Sequence, residues 1–143
     1  MKSELSLTFT HSSGIRINYQ ASVGGMGFVH VKIRIGNLTS HRVSTIETLV
    51  DSGAYFSMIP SPVLRGLGIR PLKRQRFQLA NGKTVRYRVG EAWVSIGRDR
   101  APTPVIFGPA RSQPLLGVLT LEALCLMVDP VRKRLRKSRL LLV

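Results

Sequence analysis

A mainly β domain with one late helix is the fold class that this sequence predicts, and three observations predict it. Residues 28–35 alternate strictly, with Phe28, His30, Lys32 and Arg34 interleaved with Val29, Val31, Ile33 and Ile35. Asn81-Gly82 sits between two runs that also alternate, which is the strongest short signal for a hairpin. Sustained helical spacing appears only after Gly117. Many strands followed by one helix point to a β-rich core rather than an alternating α/β fold.

Residues 1–25 differ in character from the rest of the chain. "SSG" and "SVGG" punctuate them and their alternation is weak, so they are set apart as an N-terminal extension, with the domain proper at 26–143. The alternating strand that Met26 opens ends at Gly36-Asn37, and "VSTIETLV" at 43–50 reads as a second strand running into Asp51. Ser61 is placed to cap a short helical turn with Pro62 at its first position. Residues 76–89 form the hairpin, with a two-residue type I′ turn expected at Asn81-Gly82 because both of its positions need positive φ. "EAWVSIG" and "TPVIFGP" supply two more short strands. Beyond Gly117, Leu119, Leu121, Leu124 and Met127 can share one helical face with Val118 and Leu126. The basic stretch 130–143 is either a solvated tail or a terminal strand that packs Leu140, Leu141 and Val143.

Composition narrows the function classes. At 143 residues with 43% hydrophobic and 20% charged residues, one folded domain is expected. The formal charge is +15, and 15 of the 22 Lys and Arg lie after Leu72. That charge permits nucleic acid or another polyanion as a partner without requiring one, since no nucleic-acid-binding motif accompanies it. The single cysteine, Cys125, excludes an intrachain disulfide framework. His11, His30 and His41 are scattered, so no metal site and no cofactor are expected. The first residues lack a signal peptide's continuous apolar region, and no apolar run reaches the ~20 residues of a membrane span. The expectation is a soluble cytoplasmic protein with no membrane partner.

The chemistry concentrates in "ETLVDSGAYFSMIP", from residue 47. An apolar run delivers Asp51 to a place where a charge is costly to bury. Either Asp51 closes an ordinary Asx turn, or the fold wants a carboxylate in a sheltered place. An Asp-Ser-Gly tripeptide alone is weak evidence. Here it follows Leu49-Val50 and precedes Ala54, a glycine-tipped hairpin comes about thirty residues later, and Leu115-Leu116-Gly117 opens the helix.

That combination resembles the retropepsin-like aspartic proteases, and more narrowly the compact prokaryotic branch of the clan, over roughly Met26 to Leu135. "TLVDSGA" is similar to the family's catalytic loop, "LANGK" stands where its flap lies, and "PLLGVLTLEAL" matches its hydrophobic-hydrophobic-Gly motif and helix. Ser52 stands where Thr is commoner, and Val118 stands where retroviral members carry a polar or charged residue. The resemblance implies a small closed β-barrel of the single-lobe acid protease type and an endopeptidase acting on polypeptide. In that chemistry two carboxylates share one proton and hold a water between them. One motif per chain then implies a homodimer, with an Asp51 from each copy meeting at a twofold axis. Ser52 would brace the partner's loop, Gly53 would let the two backbones approach, and Ala54, Leu115, Leu116 and Gly117 would support the loop. Ala80, Asn81 and Gly82 would form the flap over the substrate. Asp99 and Asp129 lack small residues after them and read as loop and turn residues. A second class of function is a non-catalytic dimeric β-barrel that binds nucleic acid or peptides through its basic surface.

Overall fold

The structure is a computed structural model that describes residues 4–10, 16–22 and 27–138, with side chains from Val29 onward. The alternating run becomes β3 (Gly27–Gly36). Val29, Val31, Ile33 and Ile35 are buried, while Lys32 and Arg34 face solvent. This is the outcome that a period of two imposes on a strand with one buried face. β4 (Val43–Val50) lies antiparallel to β3 with Val31 opposite Thr48. The buried Thr48 hydroxyl donates to the Val31 carbonyl at 2.8 Å, so this hydroxyl is satisfied in the core. Before β3, residues set apart as an extension form β1 (Glu4–Thr10) and β2 (Arg16–Ser22), an antiparallel pair whose second strand lies against β3.

β5 (Ser57–Pro60) leads directly into α1 (Ser61–Gly66). Ser61 does not cap it. Its hydroxyl donates instead to the Gly108 carbonyl at 2.7 Å, and Pro60 occupies the cap position without a side-chain bond. The hairpin pairs β6 (Lys73–Gln78) with β7 (Thr84–Ile96). Its turn differs from the expected type I′. Leu79 N–H bonds Lys83 O at 2.8 Å and Gly82 N–H bonds Leu79 O at 2.9 Å, with positive φ at Gly82 (84°) but not at Asn81. Three residues therefore make the loop, the arrangement in which a type I turn is followed by a left-handed glycine. Asn81 contributes its side chain, which accepts from Lys83 N–H at 3.0 Å.

"EAWVSIG" is not a separate strand. β7 continues through Gly90 because β8 (Asp99–Gly108) pairs with it from Val89–Ile106 to Ile96–Asp99. After β9 (Leu115–Leu116) and α2 (Val118–Ala123), the helix ends early. Cys125 takes a left-handed φ of 55°, and the chain turns back as β10 (Leu126–Asp129) against β11 (Arg134–Lys137). Met127 consequently lies on a strand and is exposed, whereas Leu121, Leu124, Leu126 and Leu135 join the core. The basic stretch is thus a strand at 134–137, and Leu140, Leu141 and Val143 lie outside the described residues.

Among the described residues, nine strands form one mainly β sheet in the order β1-β2-β3-β4-β9-β5-β8-β7-β6. β3 also pairs with β7, from Arg34–Ser95 to Gly36–Trp93, so six of the strands form a closed circuit of pairings. Val31, Ile33, Ile35, Ile59, Val94, Ile96, Val105 and Leu116 fill its interior. No helix among these residues is long and apolar enough to cross a membrane.

Candidate active site

Asp51 is the first residue past β4, and its position follows from an unusual neighbour. β4 runs parallel to the two-residue β9, with Leu49 opposite Leu115 and Val50 opposite Leu116. Leu49 N–H bonds Pro114 O at 2.9 Å and Asp51 N–H bonds Leu116 O at 3.0 Å. The Asp51 backbone is therefore tied to a segment sixty-five residues away. Its side chain turns back on its own loop, and Oδ1 accepts the Gly53 N–H at 2.9 Å, while Ala54 N–H bonds Asp51 O at 3.1 Å. The Asx turn expected of an Asp at this place is therefore present. Asp51 and Ala54 are half-buried, and Ser52 and Gly53 are exposed.

The far side of the loop is clamped by α2. Val118 N–H bonds Ala54 O and Leu119 N–H bonds Tyr55 O, both at 2.9 Å. These are N–H groups of the first helical turn, which lack partners within the helix. Gly117 makes the approach possible. A Cβ there would lie 2.5 Å from the Phe56 carbonyl carbon and 2.7 Å from Tyr55 O, both backbone atoms that cannot step aside. The two motifs read from the sequence, 51–54 and 115–117, thus come together through backbone bonds. Leu116 is fully buried beneath them and Leu115 is half-buried.

Sequence reasoning missed what lies beneath this junction. Ser57, Thr103 and Thr120 are buried hydroxyl residues joined in series. Gly117 N–H donates to Ser57 Oγ at 2.9 Å, Ser57 Oγ lies 2.5 Å from Thr120 Oγ1, and Thr120 Oγ1 lies 2.9 Å from Thr103 Oγ1. Each hydroxyl can donate once and accept, so the series satisfies itself in the core. Its only trace in the sequence is a hydroxyl residue inside three otherwise apolar segments.

A line of aromatic rings, also missed, links loop and hairpin. Tyr55 and Phe56 stack with centroids 5.7 Å apart, Phe56 meets Phe77 edge-on at 5.4 Å, and Phe77 meets Tyr87 at 6.1 Å. The flap candidates Ala80, Asn81 and Gly82 are exposed at the hairpin tip, and the rings make the contact with the loop further down. A depression of about 300 Å³ lies beside Phe56, lined also by Leu72, Val89, Glu91 and Pro104.

The other aspartates have structural work. Asp129 Oδ1 accepts Val131 and Arg132 N–H, both at 3.1 Å, closing the β10–β11 turn. The Arg132 backbone bond is the main reason that its carboxyl is held below the ordinary value. Asp99 pairs with Lys137 at 2.8 Å. No group of His, Cys, Asp and Glu among the described residues is arranged to hold a metal ion.

A family model described as aspartyl protease matches residues 29–120, more than half of the chain. No curated protein matches the sequence. Among solved structures, the chain is similar to a retropepsin-like aspartic protease from Rickettsia conorii, with 16% identity over 90% of this chain and 88% of that one, at a TM-score of 0.48.

Proposed function

The chain belongs to the aspartyl protease family, and from that premise we propose that it is an aspartic endopeptidase whose working unit is a homodimer. The observation that carries the reading is the Asp51 loop, whose carboxylate stands at the end of a buried ladder and is clamped on both sides by backbone bonds. Each chain supplies one such loop, and the mechanism needs two carboxyls. In the dimer the ionised carboxyl takes a proton from a bound water as the water attacks the peptide carbonyl. The protonated carboxyl gives its proton to the carbonyl oxygen, leaving a neutral tetrahedral diol and one proton on the pair. Collapse of the diol with proton transfer to the nitrogen breaks the C–N bond and restores the starting state.

The rigid support of the loop matters because a pair sharing one proton works only at fixed separation. Ser52 and Gly53, exposed in the single chain, are the surface that the second copy covers. Ser52 Oγ donates across the axis to the partner's loop. Ala80, Asn81 and Gly82 close over the bound polypeptide as the flap, with Phe77 as the flap's foot on the loop. The substrate is extended polypeptide, lying between flap and loop.

Asp51→Asn tests the reading. Cleavage of an unfolded protein substrate should fall by about 10³-fold or more, the scale of acid–base catalysis, with circular dichroism unchanged. A variant that cleaves at the wild-type rate would remove Asp51 from the mechanism. Sedimentation should give a species of twice 15.9 kDa at the concentrations where cleavage is seen. An active monomer would sink the shared pair.

A further inference from the structure

The hairpin that faces the loop with aromatic rings turns a different face outward. In its register Arg74 lies directly opposite Arg88, and Arg76 directly opposite Arg86. Residues two apart on a strand share a face, so all four arginines stand on one side, and all four are exposed. The alternate positions, Gln75, Phe77, Val85 and Tyr87, are half-buried on the other side. The next pair outward is Gln78 opposite Thr84, so this outer face carries no apolar side chain from Arg74 to Arg88.

Like charges directly opposite each other destabilise an antiparallel pair, and here two such pairs are adjacent. Nothing nearby in the chain neutralises them, since residues 73–90 include six Lys and Arg and no Asp or Glu. Arg86 and Arg88 also border a depression of about 380 Å³ shared with Arg65 of α1, which brings a fifth guanidinium to the array, and with Tyr87 and Phe107. The repeat along each strand is about 6.7 Å, so the array is an extended double row of cations.

We propose that the outer face of the β6–β7 hairpin, Arg74, Arg76, Arg86 and Arg88 with Arg65 beside them, is a binding surface for the phosphate backbone of a nucleic-acid strand. Guanidinium forks suit phosphate oxygens, and the +15 charge of the chain draws polyanions toward it from a distance. From Arg74 to Arg88 this face offers no apolar side chain to insert into a bilayer, which favours a nucleic-acid strand over a lipid surface. The double row of arginines itself carries no aromatic side chain, since Tyr87 alternates with Arg86 and Arg88, so its contacts are to phosphates and are blind to sequence. The surface is independent of Asp51 and of the protease reading.

The test uses the full chain and labelled oligo(U) and oligo(dT) strands at about 50 mM to 200 mM salt. A fourfold variant, Arg74→Gln, Arg76→Gln, Arg86→Gln and Arg88→Gln, is compared with one of equal net charge, Arg98→Gln, Arg111→Gln, Arg132→Gln and Arg136→Gln. Wild type should bind both strands alike. The hairpin variant should lose at least about tenfold in affinity, and the slope of log K against log salt should drop by about 3, the value for four phosphates on a single strand. The control should stay within about threefold of wild type. Removing opposed charges should leave the melting temperature unchanged or raised. If the fourfold variant does not fold, the pair Arg76→Gln and Arg86→Gln serves, with a slope change of about 1.4. Equal losses in both variants, absence of binding at the lowest salt, or tighter binding to anionic phosphatidylserine vesicles than to either strand would each overturn the proposal.

Discussion

The Asp51 loop and the β6–β7 hairpin face each other across the rings of Phe56 and Phe77, yet they are held in opposite ways. The loop is fastened by backbone bonds to residues 114–119, by a glycine that admits no side chain and by a series of buried hydroxyls. The hairpin is held by its own ladder and a few ring contacts, with like charges opposed on its outer face. One region has a single geometry available to it. The other is held more loosely, since breaking one edge-on ring contact costs only about 1 kcal/mol beyond the area exposed. Under the function proposed above, two carboxyls must stay at fixed separation while a polypeptide is admitted, and that needs both.

Substitutions can break that contrast or sharpen it. The largest effect belongs to Gly117→Ala, which drives a methyl into the Phe56 backbone. Stability should fall by about 3 kcal/mol or more, read by denaturant unfolding, with cleavage lost in step. A well-folded, fully active Gly117→Ala protein would show that the clamp is not rigid. Thr120→Val comes next, since it leaves Ser57 and Thr103 without their shared partner. A loss of about 1–3 kcal/mol is expected, and an undiminished stability would mean that water replaces the lost hydroxyl. Phe77→Ala should cost about 1–2 kcal/mol at its half-buried position but raise KM more than it lowers kcat, because it unseats the hairpin and leaves Asp51 in place. The smallest effect is Gly82→Ala at a φ of 84°, about 1 kcal/mol, confined to the hairpin and visible as faster amide exchange there.

The same division governs what could be read from the sequence. Features that depend on near neighbours were legible: the alternation of β3, the strand ending at Asp51, the hairpin at 76–89, and the two short motifs. Even there, details went astray where a local signal had two solutions. Asn81-Gly82 suits both a two-residue turn and the three-residue turn that forms, and the longer one lets Asn81 keep a negative φ. Ser61 has the residue type of a cap, but its hydroxyl donates to the Gly108 carbonyl, forty-seven residues away, instead. The helical spacing after Gly117 ran on to Met127 because leucines continue, and nothing local announced the left-handed turn at Cys125. The parallel pairing of β4 with β9, the Ser57–Thr120–Thr103 series and the ring contacts join positions far apart in the chain. No period or motif encodes such pairs, so the site's residue types were visible and its scaffolding was not.

The wide spacing of that scaffolding also sets when the site can exist. The partners of Asp51, Ala54 and Tyr55 are Leu116, Val118 and Leu119, so during synthesis the carboxylate loop emerges long before the segment that shapes it. Contacts of such separation form late, after the loop-closure entropy of the intervening chain has been met. A nascent chain that has reached only β8 carries the complete Asp-Ser-Gly sequence and no clamp to shape it. The topology therefore acts as a timer, keeping the Asp51 loop unshaped while the rest of the chain is still being produced. Chains stalled before Pro114 should lack the amide protection at Asp51 that the bond to Leu116 O is expected to give the finished protein.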